Sequence, residues 1–160
     1  MKSLYLILTV LIMNVSSWAQ DNTTTIYLIR HAEKADASND PHLSAAGQQR
    51  AEKWAAHFAN KDIAAIYSTG FNRTRETAQP LATAKGLQIT EYGDDFYLGT
   101  LVKKLAGKSI VVVGHSNTLP KQINMLLSNG QFGNIAESEY SQLYTITVVD
   151  GVPTAKVEKI

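Results

Sequence analysis

The sequence contains no cysteine. This excludes a disulfide framework, a thiol nucleophile and a thiolate zinc site. It also closes the lipid-anchored lipoprotein route, which needs a cysteine at the cleavage point. An excess of either charge is missing too. Fifteen lysines and arginines face 14 aspartates and glutamates, for a net charge of +1. A chain so balanced has no basic field for nucleic acid, so any anion must be held by locally placed charge. Repeats, low-complexity tracts and linkers between domains are absent as well. Hydrophobic content of 44% against 18% charged suits a packed core rather than disorder.

The most apolar stretch lies at the start, in MKSLYLILTVLIMNVSSWAQ. Lys2 supplies a short positive region, Leu4 to Met13 an apolar one, and Ser17-Trp18-Ala19 a small-x-small cleavage site. The pattern predicts a signal peptide over 1–19, with the mature chain beginning near Gln20. A spanning helix needs about 20 mostly apolar residues, and this run is shorter and ends in polar ones. The expected destination is periplasmic or secreted, with membrane contact only through this segment before cleavage.

Beyond it the chain reads as one domain, 20–160, in which strands and helices alternate. Ile26–Ile29, IAAIYST, LQITEY, SIVVVGH and QLYTITVV are strand-like, and TAKVEKI is a candidate sixth strand. Between them LSAAGQQRAEKWAAHFAN has helical spacing, with Ser44 as its cap and Trp54 and Phe58 on the core face. NRTRETAQPLATAKG is a second helix, with Asn72 as cap, a kink at Pro80 and a stop at Gly86. FYLGTLVKKLAG is a short helix ending at Gly107, and NTLPKQINMLLSNG carries Pro120 in its first turn. The alternation predicts an α/β fold, a three-layer sandwich around a mainly parallel sheet.

In such a sheet ligands bind beyond the carboxyl ends of the strands. Strand one ends in Arg30-His31, strand two leads to Arg73, and strand four ends in Gly114-His115-Ser116-Asn117. If the strands are parallel, two arginines, two histidines and two helix starts converge, which favours a dianion such as a phosphoryl group. Arg75, two positions past Arg73, falls on another helix face and reads as surface charge. His42 in a polar loop and His57 on a helix read as structural. A cation at His31 and His115 would be repelled by the arginines, so no metal and no cofactor is expected.

These residues carry a resemblance. Arg30-His31-Ala32 follows a strand. Leu43, Ser44, Gly47 and Ala51 match L-[ST]-x-x-G-x-x-[QR]-A. Tyr67, Ser68, Thr69, Arg73, Thr74, Thr77 and Ala78 match [YF]-[ST]-[ST]-x-x-x-R-[AT]-x-x-T-A. Val112-Val113-Gly114-His115 matches V-x-G-H. Four elements in this order resemble the histidine phosphatase superfamily, in its phosphoglycerate-mutase-like branch. The resemblance implies a phosphatase acting on a phosphomonoester, with His31 as the nucleophile. It implies that Arg30, Arg73 and His115 hold the phosphoryl oxygens, with Ser116 and Asn117 beside them.

The proton donor is not matched by a motif. Asp95 and Asp94, just past the third strand, are the candidates, with Asp95 preferred. Glu33 is a further candidate, for acid or substrate contact, and Glu91 sits one position early, facing a packing layer. A substrate with a good leaving group, such as a phosphorylated histidine or an anhydride, would need no acid. Pocket walls are expected from Lys34 to His42, from the segment after Tyr92, and from Ser128 to Gln142. The partner implied is a small phosphorylated molecule or a phosphoprotein. The rival readings are a non-catalytic phospho-ligand binding module and a phosphomutase.

Overall fold

The computed structural model describes residues 23–160, so the predicted signal peptide lies outside the described residues. Among the described residues six strands form one sheet: β1 (Thr24–Arg30), β2 (Ile63–Thr69), β3 (Ile89–Tyr92), β4 (Ser109–Gly114), β5 (Gln142–Val149) and β6 (Val152–Lys159). Their order is β3-β2-β4-β1-β5-β6. The first four strands run parallel, while β5 and β6 are antiparallel additions. The helices are α1 (Ala45–His57), α2 (Asn72–Lys85), α3 (Leu98–Lys104) and α4 (Thr118–Leu127). Among the described residues no helix is long and apolar enough to cross a membrane.

Both sheet faces are covered, which is why the parallel strands read as continuous apolar runs. On one face Ile29, Ile66, Val111 and Val113 pack under Trp54 of α1, Phe58 just past its end and Leu81 of α2. On the other, Ile26, Leu28, Ile110 and Val112 meet Leu98 and Leu101 of α3 and Leu119 and Ile123 of α4. This is the three-layer arrangement expected from the alternation.

Local chemistry sets most boundaries. The Ser44 side chain accepts the Gly47 N–H and starts α1. Gly86 ends α2 in the left-handed region at φ 64°. The expected Asn72 cap is not used: Asn72 is the first helical residue, and its N–H donates to Asp40 Oδ1 at 2.8 Å, in the loop between β1 and α1. A carboxylate from outside the helix thus serves the positive helix end. The helix continues through Pro80. α3 stops at Lys104, three residues before Gly107, and Gly107 turns the chain at φ 73° while its N–H donates to Thr24 Oγ1.

Register decides the site. Arg30 pairs with Gly114, Ser68 with Val113 and Thr69 with Tyr92. The carboxyl ends of four parallel strands therefore stand level. β4 enters between β2 and β1, and the chain passes from helices on one face to helices on the other. A crevice opens at that switch of side.

Candidate active site

The crevice is a cleft of about 1040 Å³ at the ends of β1, β2, β3 and β4. Arg30, His31, Arg73 and His115 all line it, as do Ser116 and Asn117. The convergence expected from parallel strands is present.

His31 is 4% exposed, and its Nδ1 lies 2.8 Å from the Ala32 carbonyl oxygen. A carbonyl only accepts, so Nδ1 carries the proton and Nε2 keeps its lone pair. The backbone on either side is pinned. The His31 N–H donates to Gly114 O at 2.9 Å, and the Ala32 N–H donates to Thr77 Oγ1 at 2.9 Å. Thr77 Oγ1 in turn donates to the Arg73 carbonyl at 2.7 Å, so one hydroxyl ties the His31 loop to the helix carrying Arg73. Two glycines permit close approaches nearby. A Cβ at Gly47 would overlap the Glu33 carbonyl oxygen. A Cβ at Gly114 would stand 2.7 Å from both the Tyr92 hydroxyl and Leu119 Cδ2.

Burial lowers the His31 pKa to about 4; the Ala32 hydrogen bond works against this, and Arg30 and Arg73 lower it further. His115 is also lowered to about 4, again chiefly by burial, then by Arg73, His31 and Arg30. Both rings are therefore neutral in the free protein at pH 7. The unfolded chain binds protons on these histidines below about pH 6.5, the folded chain only near pH 4, so folding stability must fall on acidification across that window. The His31 contribution is at most roughly 3 kcal/mol. Denaturant titrations from pH 7 to pH 4 should show this slope, and His31→Ala should make it shallower. An unchanged slope would contradict a buried neutral His31.

Arg30 is 2% exposed and held by the loop between α4 and β5. Its Nη1 donates to the carbonyls of Ala136, Glu137 and Glu139 at 2.9, 3.0 and 3.2 Å. Its Nη2 donates to Glu137 Oε2 at 2.6 Å, and its plane lies over Tyr140 at 4.4 Å. Arg73 is stacked on Phe71 at 4.3 Å, with Asp40 3.7 Å away. His115 meets Thr69 Oγ1 through Nε2 at 3.0 Å, and its ring stands edge-on to His31 at 5.4 Å.

The remaining candidates divide. Asp94 lines the cleft, whereas Asp95 is not among the lining residues, so geometry reverses the preference between them. Glu33 is not on the lining either. Its carboxylate is gripped by Arg50 at 2.7–2.9 Å. Burial raises the Glu33 pKa, but the Arg50 hydrogen bonds and charge outweigh this and leave it lowered. Glu33 therefore organises α1 against the His31 loop. Glu91 is exposed and pairs with Arg75 at 3.0 Å, rather than facing a packing layer. Arg75 is the surface charge expected. His42 pairs with Glu76, and His57 packs on Phe58. Among the described residues no group of three or more His, Asp or Glu side chains could hold a metal.

Glu137 is the cleft residue that sequence reasoning missed. It sits in a loop named only as pocket wall, and nothing in AESEY distinguishes it from Glu139, which pairs with Lys159 instead. Lys34 and Lys121 line the cleft as well.

A buried neutral imidazole with a free Nε2 shares this cleft with two guanidiniums and a second imidazole, an arrangement that can hold a dianion. Residues 26–94, which include Arg30, His31 and Arg73, match the family model described as Histidine phosphatase superfamily (branch 1). No curated protein matches the chain. Solved structures are similar in fold. YhfR of Bacillus stearothermophilus is 17% identical, with 84% of this chain and 96% of that one covered and a TM-score of 0.69. The phosphoserine phosphatase of Entamoeba histolytica is 22% identical, covering 86% and 98%, with a TM-score of 0.66. A mycobacterial glucosyl-3-phosphoglycerate phosphatase is 13% identical, covering 86% and 98%, with a TM-score of 0.67. The fold is thus phosphoglycerate-mutase-like.

Proposed function

We propose that the protein is a member of the histidine phosphatase superfamily, exported through residues 1–19, that hydrolyses a phosphomonoester without a metal. The observation that carries this reading is His31 itself, with Nδ1 bonded to the Ala32 carbonyl and Nε2 left as a neutral nucleophile among cations. Nε2 attacks phosphorus, the N–P bond forms and the P–O bond to the leaving group breaks. Water then attacks the phosphohistidine, releasing phosphate and restoring Nε2. Arg30, Arg73 and His115 stabilise charge on the phosphoryl oxygens, which is most of what phosphoryl transfer requires. A bound dianion favours a protonated His115, supplying a third cation. Asp94 is the proton donor for a poor leaving group.

A binding module on the same fold would need the cations but not a free imidazole nitrogen held ready by its other nitrogen. The deciding experiment is turnover of p-nitrophenyl phosphate by chain 20–160, with and without EDTA. Multiple turnovers unaffected by chelation are expected. Tight phosphate binding without turnover would favour the binding module, and loss of activity in EDTA would overturn the metal-free mechanism.

Arg73 supplies a second test. Arg73→Lys keeps the charge but loses the planar fork and the stack on Phe71. Turnover should fall at least about tenfold, the scale of one charge-assisted hydrogen bond. Arg75→Lys, outside the cleft, should leave it near wild type. The opposite ordering in steady-state rates would place the phosphoryl group on the wrong face of α2.

A further inference from the structure

Arg30 offers a guanidinium whose two terminal nitrogens are both engaged. Nη1 serves three backbone carbonyls, and Nη2 serves the Glu137 carboxylate at 2.6 Å. Nε is buried with no partner among the described residues. A phosphoryl group gripped by two prongs of this fork would take Nε–H together with an Nη2 hydrogen. Glu137 already sits on Nη2. Its other oxygen, Oε1, accepts from Ser116 Oγ at 2.9 Å, and Ser116 is a further donor on the cleft wall. One internal carboxylate therefore occupies two of the donors that an incoming anion would use.

We propose that Glu137 is an internal competitor for the phosphoryl seat, setting its affinity for phosphate and displacing the product after hydrolysis. This rests on the reading of the cleft as a phosphoryl site. The Glu137 side chain is 75% exposed, so it can swing to solvent without disturbing the core. The backbone beside it cannot move so freely. The Glu137 carbonyl holds Arg30, and the Ile135 N–H donates to Ser116 O at 2.9 Å. The seat keeps its shape while its occupant changes.

The charge state agrees. The Ser116 hydrogen bond, then the charge of Arg30, outweigh what burial there is and hold the Glu137 carboxyl below the usual range. It is an anion at pH 7, suited to competition rather than to proton donation. Retention of orthophosphate is a hazard for a site built from two arginines and two histidines. A tethered carboxylate is always present at the rim, and it lowers the seat's hold on every anion by the same factor.

The experiment is calorimetric binding of inorganic phosphate to the wild-type chain and to Glu137→Gln, Glu137→Ala and Asp94→Asn. Both Glu137 variants should bind phosphate about tenfold more tightly, the scale of one charge-assisted hydrogen bond. Asp94→Asn controls for the general field of a cleft carboxylate and should change affinity far less. Equal tightening in all three variants would overturn the competitor and leave only bulk charge. Weaker binding in the Glu137 variants would mean that Glu137 organises Arg30, and unchanged binding would also sink the idea. If the wild-type protein binds no phosphate, the phosphoryl reading fails with it. If it binds phosphate but the variants do not tighten, only this inference fails.

Discussion

His31→Ala should abolish turnover, by at least about 10³-fold, while phosphate binding persists. The two effects separate because they depend on different atoms. The N–P bond needs Nε2, which no other cleft residue can replace. His115 Nε2 is already engaged by Thr69 Oγ1 at 3.0 Å. The positive charge that holds the anion comes from Arg30 and Arg73, and neither relies on the His31 side chain for its position. Arg30 is fixed by the α4–β5 loop, and Arg73 by its helix and by Phe71. Acid-stop and base-stop trapping during wild-type turnover distinguishes the intermediate. A phosphoryl group on nitrogen is lost in acid and retained in base. A covalent phosphate with the stability of a serine ester, or normal turnover by the variant, would refute the assignment.

Asp94→Asn should slow hydrolysis of an alkyl phosphate by about 10²–10⁴-fold, with far less effect on a nitrophenyl ester. An alkoxide leaves poorly without a proton, whereas nitrophenolate is already a weak base. Asp94 is placed for this because it lines the cleft, immediately after the β3 end that stands beside β2. Asp95→Asn and Glu33→Gln serve as comparisons. Glu33→Gln should lower stability through its lost grip on Arg50, with similar losses on both esters. If Asp94→Asn slows both esters equally, Asp94 is structural. If none of the three variants is selective for the alkyl ester, the acid lies elsewhere or the substrate has a leaving group that needs none.

Local sequence pattern accounts for most of this site. Apolar β-branched runs, a capped helix at Ser44 and a left-handed stop at Gly86 act within a few residues of chain, so composition and spacing expose them. The parallel sheet follows from strand–helix alternation, because a parallel connection must cross over. Once the sheet is parallel, residues at strand ends share one edge, which brings Arg30, His31, Arg73 and His115 together.

What the sequence could not determine depends on atoms brought together over long chain separations. Asp40 replaces Asn72 at the start of α2 because a loop more than thirty residues away lies over the helix end. Burial, not the neighbouring arginines, dominates the His31 shift, since desolvation depends on everything packed around the ring. Asp94 and Asp95 are equivalent as letters, and only the turn after β3 decides which one meets the cleft. Glu137 and Glu139 are separated by one residue in one loop. One joins Arg30 and Ser116 in the cleft, and the other pairs with Lys159 on β6. A carboxylate's role is set by which cation the fold brings within reach, and that distance exists only in three dimensions.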